Sequence, residues 1–575
     1  MKNLFLSGRT FLSQKQGSIL SAAFLIMAMN IAARLLGLIK YLVLGHFFTD
    51  TERSLFLAAF FPSETLFEIL VSGSLAAAFI PVFASLMSKG EKERAWYIAG
   101  IIQTTVFIVF LIFAVVTFIF ANQLLGLIPN IPPGYQDQVV WLTRFLLVVQ
   151  IFFILGFTLG PIQETFGRFL VPALAPLFYN LGMIGGIVLL HKFGLWGPAI
   201  GASVGALMSF AFQYPFAKAL GFRFIPKVDL ANPDFRKVVS LALPRMFELL
   251  ATRAAKSVEL LLSFMISSAS YGFFVFANAL QLIPVALFGY SFSRAAMPTL
   301  SAHVANGDKE SFERTFSFAV GQVLFFTIPI AILLAVLRIP IVRIAFGAEK
   351  FSWEATVQTG YILSAFAIGL VAEGIREILV RAFYAKHDTR TPLIISLIST
   401  ALYIAGAYWL IRFAGIGVWG IALAFSFSVI IQTIVLFVFL NRRIRVVSVN
   451  FYKTLLKTLI AGSISGFVMF FLIKILDQAV WDKKLSFLGS LGLALPTGFQ
   501  NFVLDTRYSM NLIFLTLLVS AIGIFVYLVA AAVLKIREVE ILARFASKLL
   551  LRELTLGKVR TKQEVDTPLP LPPSA

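Results

Sequence analysis

Cysteine is absent from this chain of 575 residues, which excludes disulfide frameworks, thiolate zinc sites and thiol nucleophiles. Histidine is nearly as scarce. Its four copies are scattered, and no H-E-x-x-H pair is present to hold a catalytic zinc. No G-x-x-x-x-G-K-[ST] loop occurs, so a P-loop ATPase is excluded as well. Charge of either sign is short: Asp, Glu, Lys and Arg together make 13% of the chain, about half the share in a soluble domain. Acids are the rarer sign, 28 against 48 Lys and Arg. The bases fall mostly in short loops between apolar runs, where they set membrane topology, so the formal charge of +20 does not point to nucleic acid as a partner.

Hydrophobic residues, by contrast, make up 59% of the chain. Runs of about 18 or more mostly apolar residues, each long enough to cross the hydrocarbon core, predict about fourteen transmembrane helices, the first near 18–47 and the last near 510–534. The loops divide by charge. Lys89, Lys92 and Arg94 fall on the same side as Arg168, as Lys218, Arg223 and Lys227, and as Lys309, Lys386, Arg390 and Arg442, whereas "ANQLLGLIPNIPPGYQDQ" on the other side has no base. By the positive-inside rule both termini are expected in the cytoplasm. The basic start "MKNLFLSGRTFLSQKQGS" lacks a small-residue cleavage site and is expected to stay on the chain.

The chain also repeats itself. "SGSLAAAFIPVFASLMSKGEKERAWY" aligns with "GYSFSRAAMPTLSAHVANGDKESFER", with Pro81 over Pro298 and Gly90-Glu91-Lys92-Glu93 over Gly307-Asp308-Lys309-Glu310. The expected fold is therefore an all-α polytopic membrane protein. Two six-helix lobes, at 1–222 and 223–445, should be related by a pseudo-two-fold along the membrane normal, as in transporters that rock one half against the other. Two further helices occupy 446–534. A basic amphipathic helix and a Pro-rich tail follow at 535–575, suited to anionic lipid.

Several charges sit where hydrocarbon should exclude them. At about 100° per residue, Arg245, Glu248, Thr252, Lys256 and Glu259 share one stripe of the seventh helix, with Arg253 beside it. Glu373, Arg376, Glu377 and Tyr384 share a face of the tenth, with Arg381 at its edge. The first and second helices add Asn30, Arg34, Glu64 and Glu68. A charge at the bilayer centre costs about 2.5–3.5 kcal/mol on insertion scales, so these stripes must face neighbours or a watery chamber. Arginine forks in such a chamber suit phosphate or carboxylate, which makes an anionic cargo the expectation. The interleaved acids either tune that field or exchange protons or cations.

The end of the tenth helix, "RAFYAKHDTRTP", resembles the F-Y-A-x-x-D-x-x-T-P signature of the MurJ (MviN) lipid II flippases, within the multidrug/oligosaccharidyl-lipid/polysaccharide (MOP) exporter superfamily. The signature positions here are Phe383, Tyr384, Asp388, Thr391 and Pro392. "AARLLGLIKYLVLGHFF", "SGSLAAAFIPVFASLMSKGEKE" and "RFLVPALAPLFYNLGMI" are similar to the family's first, second and fifth spans, so the likeness covers most of Ser18 to Asn441. The resemblance implies a transporter rather than an enzyme. It would lie in the bacterial inner membrane and carry an undecaprenyl-diphosphate-linked peptidoglycan precursor between leaflets by alternating access, beside cell-wall synthesis proteins. No cofactor or metal is expected: the acids of the sodium site described for some members are missing from the eleventh span, "TPLIISLISTALYIAGAYWLI". The resemblance also implies that Arg34 is a cavity arginine and that Lys40 replaces a second one. Tyr41 stands where Asp is common, Phe67 and Glu68 where an Arg pair is often found, and Ala277-Asn278-Ala279-Leu280 where A-D-R-L is typical. Arg245, Arg253, Lys256, Arg376 and Arg381 are the candidates to supply the missing positive charge. Glu64, Glu68, Glu248, Glu259, Glu373 and Glu377 are the charge-coupling candidates. Rival readings are an exporter of another lipid-linked oligosaccharide, of the O-antigen type, and a membrane glycosyltransferase or polymerase working from the loop at 478–509.

Overall fold

The computed structural model describes residues 19–72, 75–443, 449–477, 503–506 and 508–540. The tail at 541–575 and most of the loop at 478–509 lie outside the described residues. The first copy of the repeat runs through α1 (Ile19–Phe47), α2 (Asp50–Phe67), a π-helical segment (Glu68–Ser72), α3 (Leu75–Ser88), α4 (Lys92–Ile119) and α5 (Ala121–Gly126). It continues with α6 (Gln136–Gly156), α7 (Leu159–Thr165), α8 (Leu170–Leu190) and α9 (Trp196–Ala219). The second copy contains α10 (Pro233–Ile266), α11 (Ser270–Pro284), a π-helical segment (Val285–Tyr290), α12 (Ser291–Ala305), α13 (Lys309–Val336) and α14 (Arg338–Phe346). It ends with α15 (Trp353–Ala385), α16 (Arg390–Arg412) and α17 (Trp419–Arg443), after which come α18 (Val449–Leu476) and α19 (Ser509–Val533). Nine spans among the described residues are long and apolar enough to cross a membrane on those grounds alone. The charge-striped α10 and α15 are not among the nine, although they have 34 and 33 residues.

Backbone detail bears out the repeat. The spacing that carries Pro81 to Pro298 also carries the start and end of α4 onto those of α13, and the start of the first π segment onto that of the second. Gly90 and Gly307, at matching turns, both have positive φ, 80° and 69°, where a side chain would be strained. A π turn inserts one extra residue into a helix, bends it and frees backbone groups. Both copies use it in the second helix of the lobe.

Packing differs between the two ends of the bundle. At the end remote from the basic loops, residues of both lobes form one apolar core, in which Phe48, Leu55 and Phe56 belong with Phe276, Phe346 and Phe366. At the basic end the core divides. One part holds Phe79, Phe83, Trp96 and Phe110, and the other Leu300, Phe312, Phe316 and Leu440. The first turns of α10 join the former part through Phe235, Val238 and Ala242, while its last turns join the shared core through Leu260, Leu262 and Phe264. The apolar core is thus continuous between the lobes at one end and divided in two at the other. The final pair, α18 and α19, packs against α13, where Tyr527 donates to the Phe325 carbonyl at 2.7 Å.

Within the first lobe α8 and α9 touch backbone to backbone. Glycines at 182, 186, 197, 201 and 205 form the seam, and a Cβ on Gly201 would lie 2.6 Å from the Gly182 carbonyl and 2.7 Å from the Gly186 Cα. Small residues in register are a common way for membrane helices to approach closely. Gly201→Leu is expected to force these helices apart at a cost of about 1–3 kcal/mol, read as a lowered Tm of the purified protein in detergent, whereas Gly185→Leu, with nothing within 4 Å of its Cβ, should leave Tm nearly unchanged.

Candidate functional site

The closed end is held by a polar clasp around Arg53, which is 1% exposed. Its guanidinium pairs with Asp50, donates to the Phe48 carbonyl at 2.9 Å and lies over the Phe351 ring at 4.7 Å. Lys350, from the second lobe, also offers its carbonyl at 3.5 Å. Around this centre Ser54 donates to the Ala269 carbonyl at 2.7 Å, and the Gly272 amide donates back to Ser54 Oγ at 2.7 Å. Asn130 Nδ2 donates to the Phe264 carbonyl at 2.9 Å, and the Thr51 and Ser268 hydroxyls lie 3.3 Å apart. These four contacts join the first lobe to the end of α10, the start of α11 and the connection between them.

Away from the clasp, the charged stripe of α10 meets the acids of the second helix. Arg253 of α10, 5% exposed, forms an ion pair with Glu68, the first residue of the π segment after α2. Glu64, one turn earlier, lies within electrostatic reach of Lys40, Arg253, Tyr41, Tyr179 and Tyr271. Lys40 sits 4.6 Å over the Tyr41 ring. On the other side of α10, Glu259 accepts from the Tyr403 hydroxyl of α16 at 3.0 Å and feels Lys256 and Arg253. The fork of α10 is thus tied to the first lobe by Arg253 and to the second by Glu259.

A second group lies on α15. Buried Glu373 accepts from Gln281 of α11, and Arg376 donates to Glu377 at 2.8 Å while standing 3.8 Å from Glu373. Tyr290, closing the second π segment, lies within electrostatic reach of Arg376, Glu377 and Arg34. Arg34 itself is exposed on α1. The six candidate acids therefore divide: Glu64, Glu68 and Glu259 gather around α10, Glu373 and Glu377 around Arg376, and Glu248 stands exposed, apart from both. Arg381 stacks 5.9 Å over Tyr384. The Arg245 side chain lies outside the described residues.

The signature at the end of α15 has a structural role of its own. Asp388 accepts from the Thr391 amide at 3.0 Å and from its hydroxyl at 2.7 Å, which fixes the turn into α16. His387 adopts φ 59° in that turn, and Phe383 and Pro392 are buried beneath it. Tyr271, Tyr403, Gln281 and Tyr290 were not singled out by the sequence, because a Tyr or Gln in an apolar helix has the same appearance whether it packs or ligates.

Two lobes that share an apolar core at one end and have separate cores at the other, with paired charges between them, define a membrane transporter of the alternating-access type. The description "Lipid II flippase MurJ" matches residues 44–492, and the chain belongs to that family. A probable lipid II flippase MurJ of Thermotoga maritima is 26% identical over 527 residues, covering 90% of this chain and 96% of the relative. One from Bdellovibrio bacteriovorus is 26% identical over 422 residues, covering 70% and 78%. Among solved structures, a lipid II flippase MurJ in an inward closed conformation superposes with a TM-score of 0.70 at 22% identity, covering 89% of this chain and 98% of that one. An inward-facing multidrug resistance MATE family transporter of the MOP superfamily gives 0.60 at 14% identity, covering 74% and 98%.

Two outcomes are expected from this geometry. Thr51→Cys with Ser268→Cys, in a chain with no native cysteine, should cross-link under mild oxidant and stop transport, with reductant restoring it; the band shift on non-reducing gels is the readout. Glu68→Ala should cost about 2–3 kcal/mol by leaving Arg253 buried without its partner. Glu68→Leu combined with Arg253→Met should regain most of that in a thermal melt.

Proposed function

We propose that the chain translocates lipid II, the polyprenyl-diphosphate-linked precursor of peptidoglycan, across the bacterial cytoplasmic membrane. The observation that carries the reading is the division of the apolar core at the basic end, with exposed Arg34 and the bases of α10 and α15 between the lobes. With both termini in the cytoplasm, that end faces the leaflet in which a cytoplasmic precursor is made. Arg34, Lys40, Lys256 and Arg376 supply the positive field for the diphosphate. The forked Arg34 is suited to grip two phosphoryl oxygens at once. The lipid tail stays in the bilayer while the headgroup passes between the lobes.

A cargo shifts the lobes only by binding one arrangement better than the other. Arg253 provides such a difference. A phosphoryl oxygen reaching Arg253 competes with Glu68, and the exchange loosens the tie between α10 and the first lobe. Glu259, Glu373 and Glu377, held by Tyr403, Gln281 and Arg376, are the groups that would report a coupling proton or cation. In this reading the chain performs no chemistry itself. It connects enzymes that complete the lipid-linked precursor on one face with those that polymerise it on the other.

In a strain depleted of its own lipid II flippase, the wild-type chain is expected to restore growth, and Arg34→Ala at equal membrane abundance to lose at least tenfold in plating efficiency. Rescue by Arg34→Ala would remove that residue from the site. No rescue by well-expressed wild type would redirect the reading to another lipid-linked saccharide.

A further inference from the structure

At the end remote from the basic loops, each lobe holds an arginine against the last turn of one helix. In the first lobe Arg144 of α6 donates from Nε to the Phe118 carbonyl of α4 at 3.1 Å, with its guanidinium 4.8 Å from the centre of the Trp141 ring and 5.1 Å from that of Phe118. In the second, Arg338 of α14 donates from Nη1 to the Ala335 carbonyl of α13 at 2.9 Å and lies 5.7 Å from the centre of the Tyr361 ring. The last carbonyls of a helix have no partner within it, so a cation there is favourable.

The repeat relates the two arrangements. The spacing that carries Pro81 to Pro298 also carries the start of α6 onto that of α15 and Phe118 onto Ala335, so both arginines cap the same carbonyl of the duplicated helix. Yet Arg144 falls on Tyr361, and Arg338 falls on Ala121. The position that supplies the cation in one lobe supplies the ring in the other. The arrangement recurs although its residues do not.

Helix capping leaves most of a guanidinium unused, because it has N–H donors beyond those one carbonyl can take. Arg144 and Arg338 each make one hydrogen bond, and neither forms a salt bridge among the described residues. Phe118, Trp141 and Tyr361 are all exposed, which suits aromatic residues at the depth of lipid headgroups. Further along the same helices, Val148 and Ile368 are apolar and exposed as well. A charge at the edge of hydrocarbon needs a counter-charge, and the anion found at that depth beside apolar surface is a lipid phosphate.

We propose that each lobe binds the phosphate of an anionic phospholipid at this end, through Arg144 in the first and Arg338 in the second, with the acyl chains along the exposed apolar face beside it. The rings hold each guanidinium in place, and its remaining N–H groups take phosphoryl oxygens, which a guanidinium fork fits well. Two lipids held in this way fix the end where the lobes share a core at the level of the headgroups, and so provide a pivot for both lobes. The inference does not depend on the identity of the cargo.

The test uses the full-length chain in nanodiscs of zwitterionic lipid. Because the chain has no native cysteine, Val148→Cys, one turn from Arg144, and Ile368→Cys, two turns from Tyr361, can each carry a single bimane that phospholipids brominated on their acyl chains will quench. Half-quenching is expected at a fraction of brominated phosphatidylglycerol about threefold lower than of brominated phosphatidylcholine. Arg144→Gln should remove that preference at the Val148→Cys label and leave the Ile368→Cys label unchanged, and Arg338→Gln should do the reverse, so each variant is the folding control for the other. Equal quenching by the two lipids at both labels overturns the inference, as does a preference that survives in both variants. A preference at one label alone keeps the site of that lobe and removes the other. Loss of the preference on adding inorganic phosphate, but not chloride at the same ionic strength, would assign the sites to a free anion and overturn the lipid assignment. Rescue of the flippase-depleted strain is scored separately, so failure of the lipid II reading leaves this result standing.

Discussion

Hydrocarbon tolerates a charge only when the charge has a partner or water, and the interior of this molecule is arranged around that constraint. Arg253 meets it by reaching Glu68 on another helix, Glu259 by accepting from Tyr403, and Glu373 by accepting from Gln281. In each case the partner belongs to a different segment of the chain. The requirement to satisfy a charge thereby becomes a requirement on which helices are neighbours. α10 shows this most directly: one of its charges is answered by the first lobe and another by the second, while its two ends pack into different apolar cores.

The lobes close and part with very different interactions. The closed end combines a common apolar core with short hydrogen bonds to backbone carbonyls, most of them neutral and each contributing about 0.5–1.5 kcal/mol net. Arg53 carries charge there, paired with Asp50 and enclosed by Phe276 and Phe351. Such a seal is cooperative when shut, yet no single bond in it is strong enough to prevent opening. At the basic end the two cores are complete without each other, so separation there exposes polar stripes and not a torn apolar interior. The π turns fall where this division begins. They bend the second helix of each lobe and place Glu68 and Tyr290 toward the junction.

Much of this was legible in the residues themselves. Pro81 and Pro298 with their flanking Gly-x-Lys-Glu turns disclosed the duplication, and the 3.6-residue period of Arg245, Glu248, Lys256 and Glu259 disclosed a polar face on an otherwise apolar helix. Three features were hidden, each for a physical reason. A π turn arises from packing and leaves no periodicity of its own. Arg53, at the start of a span, has the look of a topology charge, and only the fold encloses it between rings. The cavity of the first lobe is assembled from five helices whose residues are far apart in sequence, so no spacing in the chain groups Glu64 with Glu164. Asp388 and Thr391 were read as a family mark, yet their hydrogen bonds fix a turn, so a signature can persist for folding beside a site and not within it.

The tie between Glu68 and Arg253 also joins two regions of opposite sign. On one side lie the bases that suit a diphosphate; on the other lies a cavity lined by Glu64, Glu68 and Glu164. While the pair is intact, each charge cancels the other and neither region shows its full field. An anion that reaches Arg253 must displace Glu68, so it favours the arrangement in which α10 and the first lobe are no longer tied, by as much as it binds that arrangement better.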